Sequence, residues 1–121
     1  LMHTGEEIPI VKPNTSFSEL VLEMTSKRLG TTTVVAESGA LVGIITDGDL
    51  RRAIEKKHNL ENLTAADVMS SKPKTISDNK LAVEALNKME KYKITSLVIT
   101  DGNKKVIGFL HMHDILEAKV V

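Results

Sequence analysis

The chain has 121 residues, with 16 Lys plus Arg against 16 Asp plus Glu, 41% apolar residues, and neither Cys nor Trp. That length suits one domain, or two small ones sharing an aliphatic core. Balanced charge excludes a basic field for nucleic acid, short apolar runs exclude a membrane-spanning helix, and the lack of Cys excludes disulfides and thiol chemistry, which fits a reducing cytoplasm.

Ile8-Pro9-Ile10-Val11 reads as a short strand, with Pro9 suiting a sheet edge or strand start. Ser16-Phe17-Ser18-Glu19 is a capping box opening a helix that runs to Arg28 and ends at Gly30. Along it Phe17, Leu20, Val21 and Met24 recur at the spacing of one buried helical face. Thr31 to Ala36 is a β-branched strand, Glu37-Ser38-Gly39-Ala40 a turn, and Leu41 to Thr46 its hairpin partner. Thr46 and Asp47 supply caps for a helix from Gly48 to Lys57 whose Leu50, Ala53 and Ile54 face inward.

His58 to Leu63 is a polar connector, and Thr64-Ala65-Ala66-Asp67 is a second capping box opening one helical turn through Met69. Thr75-Ile76 follows as a short strand, then Ser77 or Asp78 caps a helix over 79–91. Thr95 to Thr100 and Lys105 to His111 are strands joined by Asp101-Gly102-Asn103-Lys104, and His113 to Lys119 is the last helix. The chain starts at Leu1 and reads as a piece of a longer protein, so its lack of a signal peptide says nothing of the natural N-terminus.

The second set of elements repeats the first. An offset of 65 residues takes Gly43 to Gly108, Asp49 to Asp114, Met24 to Met89 and Leu29 to Ile94. The helix stripe maps onto Ala82, Ala85, Leu86 and Met89. We therefore expect an α+β protein of two strand–helix–strand–strand–helix copies, 1–60 and 61–121, packed sheet to sheet about a pseudo-twofold. A single copy of about 60 residues would bury little surface alone. Pairing solves that and leaves a cleft near the two Gly-x-x-x-x-x-Asp turns.

Gly43-Ile44-Ile45-Thr46-Asp47-Gly48-Asp49-Leu50-Arg51-Arg52 is the stretch around which the chain is organised: a strand end, a polar turn and the start of a helix. A hydroxyl, backbone N–H groups and the positive end of a helix dipole converge there, which suits an anion such as a phosphate. The plain alternative is an ordinary helix cap with nothing bound.

Each copy resembles a cystathionine-β-synthase (CBS) domain, and the pair resembles a Bateman module. The first copy carries that family's Gly-h-h-Thr-x-x-Asp signature, with h apolar, over Gly43 to Asp49. The resemblance implies that Thr46 contacts a phosphate and Asp49 the ribose hydroxyls of an adenosyl or related nucleotide. The second copy keeps Gly108 and Asp114 but has His111 where the family has Thr. More specifically, residues 1–9, 46–52 and 111–116 are similar to the C-terminal CBS pair of bacterial arabinose 5-phosphate isomerases. Those enzymes interconvert ribulose 5-phosphate and arabinose 5-phosphate for Kdo (3-deoxy-D-manno-octulosonate), lipopolysaccharide and capsule synthesis, and catalysis resides in an N-terminal sugar-isomerase domain absent from these residues.

That resemblance implies a non-catalytic, cytoplasmic regulatory module that requires no cofactor and binds CMP-Kdo, AMP or ATP in the cleft between copies. Its partners would be its own isomerase domain and further copies, as a dimer of CBS pairs in a tetrameric parent, with no nucleic acid and no membrane. The alternatives are an oligomerisation platform with an empty cleft, or a CBS pair from another enzyme or a transporter. The candidate binding residues are Thr46, Asp49, Arg51, Ile10, Thr31, Thr95, Ser96, His111, His113 and Asp114. Strand propensity accounts equally well for Thr31, Thr95 and Ser96, and solvation for Arg51, which is expected nearer the cleft than Arg52. His111, His113 and Asp114 lack a further ligand at suitable spacing, so no metal site is expected. Asp47 and Asp49 have no neighbouring base or nucleophile, so no catalytic residue is assigned.

Overall fold

The computed structural model describes residues 8–27, 30–56, 59–71, 73–77, 82–94 and 96–111. Its elements are β1 (Ile10–Val11), α1 (Phe17–Lys27), β2 (Thr31–Val35), β3 (Leu41–Thr46), α2 (Asp47–Lys56), a 3-10 turn (Leu60–Asn62), α3 (Ala65–Val68), β4 (Thr75–Ser77), α4 (Ala82–Tyr92), β5 (Ser96–Thr100) and β6 (Val106–His111). The protein is α+β, with one sheet ordered β1-β2-β3 and the other β4-β5-β6. The expected last helix lies outside the described residues, as does the start of the helix expected at Asn79. Among the described residues no helix is long and apolar enough to cross a membrane.

The repeat is reproduced in the backbone. Shifting α1, β2 and β3 by 65 positions lands on the bounds of α4, β5 and β6. In both sheets the first strand pairs parallel with the second, and the second antiparallel with the third. Each hairpin has a register shift at the same place, between Val34 and Val35 in one and Ile99 and Thr100 in the other. A one-residue slip would reverse the faces of a strand, so a shared bulge keeps equivalent side chains on equivalent faces.

Residues Pro9–Pro73 form one compact unit; the described residues from Lys74 onward, with Ile8, belong to the other. In the first, Leu20 and Met24 of α1 meet Val11, Val34 and Ile45 of the sheet in one buried cluster. Leu20 and Met24 lie on the face expected from the helical spacing, with Phe17 packed at its edge, while Val21 is outside this cluster and lines a cavity beside it. In the second, Ala85 and Met89 of α4 meet Leu97, Ile99 and Leu110. The two methionines are core residues in both copies.

α1 opens as expected, with the Glu19 N–H donating to Ser16 Oγ at 3.3 Å. Gly30 takes φ +71°, a conformation that suits glycine after a helix. Tight turns follow β2 and β5. Gly39 takes φ +92° in the first. In the second, Asp101 Oδ1 accepts from the N–H groups of Asn103 at 2.8 Å and Lys105 at 3.1 Å.

The segment after α2 is built into the first unit. Phe17 N–H donates to the Leu63 carbonyl at 3.1 Å, and Ala65 N–H donates to the Thr15 carbonyl at 2.9 Å. Ala65 is fully buried in the first cluster. The expected capping box is present at α3, where the Thr64 N–H donates to Asp67 Oδ2 at 2.9 Å.

One inward assignment is overturned. Ile54 is 55% exposed, and no residue of α2 is fully buried. The helix borders the core through Leu50, and Ile54 lies one turn beyond that contact. Spacing marks a face, but where a helix leaves its sheet depends on the packing around it.

Candidate functional site

The signature turn of the first unit is a closed hydrogen-bonded motif. α2 starts at Asp47, one residue before the position expected, so Thr46 is its cap and Asp47 already lies in its first turn. Asp49 N–H donates to Thr46 Oγ1 at 3.2 Å, and Thr46 N–H donates back to Asp49 Oδ2 at 2.9 Å. This reciprocal pair is a capping box, with Asp in the place usually taken by Glu or Gln. The Thr46 hydroxyl also donates to Asp49 Oδ2, at 3.1 Å. The hydroxyl and N–H expected to face an anion are therefore engaged by Asp49.

The other carboxylate oxygen, Oδ1, receives Arg52 Nη2 in an ion pair. Arg52 follows Asp49 at i+3, a spacing that brings helical charges together. Arg51 is exposed, and no ion pair among the described residues involves it. The i+3 relation to Asp49 was the signal in the sequence that favours Arg52 over its neighbour.

Two glycines shape the approach to this turn. Gly30 accepts the Asp47 N–H at 3.0 Å through its carbonyl, and a Cβ there would meet Asp47 Oδ2 at 3.1 Å. A Cβ on Gly48 would stand 3.6 Å from Thr46 Oγ1 and 3.5 Å from Arg52 Nη1. A cavity of about 270 Å³ adjoins the turn, lined by Val21, Met24, Thr25, Gly30, Asp47 and Leu50.

The expected residues fall into pairs set by strand register. Thr31 lies opposite Thr46, and Ser96 opposite His111. Because partners across a ladder share a face, and Val34 and Ile45 face the α1 core, Thr31 and Thr46 stand on the opposite face. Ile10, paired with Thr33, shares that face and is 40% exposed. Thr31 and Ser96 are buried. Thr95, His113 and Asp114 lie outside the described residues. Among those described, no group of three or more His, Cys, Asp or Glu residues is placed to hold a metal ion.

The CBS domain model matches residues 1–56 and 65–121. The chain belongs to the CBS domain family. As a CBS pair it is 46% identical over 121 residues to an arabinose 5-phosphate isomerase of Yersinia pestis, covering 100% of this chain and 37% of that protein. To the arabinose 5-phosphate isomerase of Francisella tularensis it is 42% identical over 120 residues, covering 99% of this chain and 36% of the relative. The chain thus spans little more than a third of the curated relatives it matches. Among solved structures, the CBS-pair protein CBSX2 in complex with AMP has a TM-score of 0.82 at 23% identity, covering 98% of this chain and 92% of that one. The CBS domain pair of protein MJ0100, in complex with 5′-methylthioadenosine and S-adenosyl-L-methionine, has a TM-score of 0.83 at 24% identity, covering 96% and 90%. These likenesses establish the fold.

Proposed function

We propose that this CBS pair is the regulatory module of an arabinose 5-phosphate isomerase, acting in the cytoplasm in Kdo and lipopolysaccharide synthesis. The observation that carries the parent's identity is 42–46% identity over essentially this whole chain to isomerases nearly three times its length. The remaining length of such a parent would hold the sugar-isomerase domain, and the assembly would be a homo-oligomer.

The ligand is a phosphorylated nucleoside, either an adenine nucleotide such as AMP or ATP or the nucleotide sugar CMP-Kdo. Support comes from the Thr46–Asp49 turn, which carries the family signature, and from a related fold solved with AMP. The fold solved with 5′-methylthioadenosine and S-adenosyl-L-methionine supports only the nucleoside part, since neither molecule carries a phosphate. A hydroxyl beside a helix start suits a phosphate oxygen, and a carboxylate accepts both hydrogens of a cis-diol. Regulation requires the ligand to favour one arrangement of the parent over another, because tight binding without that preference shifts nothing.

Titration calorimetry on this chain with AMP, ATP, CMP-Kdo and arabinose 5-phosphate tests the reading. We expect one of the nucleotides to bind, and Thr46→Val or Asp49→Ala to abolish both that heat and the ligand response of the full-length isomerase. An absence of heat at millimolar ligand, with both variants of the full-length enzyme behaving as wild type, would remove the proposal.

A second reading is favoured by one observation: Thr46 and Asp49 satisfy each other as Thr64 and Asp67 do. On this reading the pair is an oligomerisation platform and the signature is only a helix cap. Truncating the module from the isomerase would then dissociate the assembly while leaving activity insensitive to every nucleotide.

A further inference from the structure

The Asp49 carboxylate has two oxygens with different partners. Oδ2 takes the Thr46 N–H and hydroxyl within the capping box, while Oδ1 takes only Arg52 Nη2 among the hydrogen bonds described. The side chain of Arg52 is 59% exposed and that of Asp49 16%. An exposed ion pair contributes little and is cheaply broken. The Thr46 bonds lock the carboxylate in place, so the bond to Arg52 is the one a ligand can replace.

The guanidinium also has somewhere to go. Its Nη1 and Nη2 lie 3.5 and 3.8 Å from the point a Cβ on Gly48 would occupy, and Thr46 Oγ1 lies 3.6 Å from that point. Hydroxyl and guanidinium thus border one small volume that stays open because residue 48 has no side chain. An Arg fork binds a phosphate through two parallel hydrogen bonds, which a carboxylate engaged at one oxygen does not supply.

We propose that Arg52 makes this site demand a phosphorylated ligand: it leaves Asp49 for the ligand's phosphate as the ligand's hydroxyls take Asp49. The inference rests on the proposed reading of Thr46–Asp49 as a nucleotide site. A nucleoside without phosphate would displace Arg52 from Asp49 and offer it no anion, so it lacks the charged hydrogen bonds that a phosphate makes to the freed guanidinium. A nucleotide replaces one charged partner with another. Arg51 has no part in this exchange.

The test is calorimetric titration of the 121-residue chain and its Arg52→Gln and Arg52→Lys variants with two pairs, AMP with adenosine and CMP with cytidine. Wild type should prefer the nucleotide of the bound pair by about ten- to hundred-fold, the range for one charged hydrogen bond. Arg52→Gln should lose most of that preference through weaker nucleotide binding, with nucleoside affinity equal or higher, and Arg52→Lys should keep most of it. An unchanged nucleotide-to-nucleoside ratio in Arg52→Gln overturns the inference and leaves the proposed function standing. If no nucleotide of either pair binds wild type, the inference is overturned, and the proposed function falls with it only where ATP and CMP-Kdo also give no heat.

Discussion

Ile44 and Ser70 exchange both backbone hydrogen bonds, at 3.0 Å from Ile44 N and 2.8 Å from Ser70 N. The segment leaving α3 is therefore clipped onto the signature strand two residues before Thr46. This clip explains the signature glycine of the first unit. A Cβ on Gly43 would lie 2.9 Å from the Ser70 carbonyl oxygen and 2.9 Å from Met69 Cγ. We expect Gly43→Ala to destabilise the protein by about 1–3 kcal/mol, as overpacking does. Gly102→Ala is the control, since nothing lies within 4 Å of a Cβ there. Urea unfolding of the two variants should separate them clearly; equal midpoints would mean that the clip is not formed in solution.

The Thr46–Asp49 box makes a second prediction. Thr46→Ala and Asp49→Ala should each cost about 1 kcal/mol of stability, the usual loss of a helix cap. Because the two share their hydrogen bonds, the double variant should cost less than the sum. A double-mutant cycle by chemical denaturation reads this directly. Strict additivity would show that the residues do not hold one another in the free protein.

The cores of the two units predict a contrast along one helix. Leu20 is fully buried, whereas Leu22, two residues on, is 68% exposed. Leu20→Ala should cost about 2–5 kcal/mol, the range for a buried leucine, and Leu22→Ala should stay within about 0.5 kcal/mol of wild type. Leu97, also fully buried, should behave as Leu20 does. Ile54→Lys should be near neutral, which thermal unfolding would verify and which inward packing of that residue would contradict.

A fourth prediction concerns the sheet edges. The Ile10 N–H on β1 donates to Glu23 Oε2 at 3.0 Å, while at the matching place in the second unit Lys88 Nζ donates to the Thr75 carbonyl. Each short edge strand is thus capped by a charged side chain from the helix, which masks an edge open to pairing. Glu23→Ala should speed amide exchange at Ile10 and lower stability by about 0.5–1.5 kcal/mol, the net worth of a typical hydrogen bond, because this one is exposed to solvent. Exchange at Ile10 that does not respond to the change would refute the cap.

Much of the fold was legible because it was written twice. Matching positions in 17–46 and 82–111 repeat key apolar residues: Met24 and Met89, Leu29 and Ile94, Val34 and Ile99, Ile45 and Leu110. Hydrophobic period and cap residues act on their own segment, so they set the described strands, both long helices, the Ser16 cap and the capping box at Thr64. The turn residues Gly39 and Asp101 likewise act on their own backbone, and their role follows from residue type. Three features were decided by tertiary packing. α2 begins at Asp47 rather than Gly48 because the Gly30 carbonyl, at the far end of the hairpin, receives the Asp47 N–H. Ile54 is exposed because α2 runs past the core it borders at Leu50. Gly43 is required by Met69 and Ser70, residues remote in sequence, since a steric demand between distant segments leaves no mark in the spacing of either one.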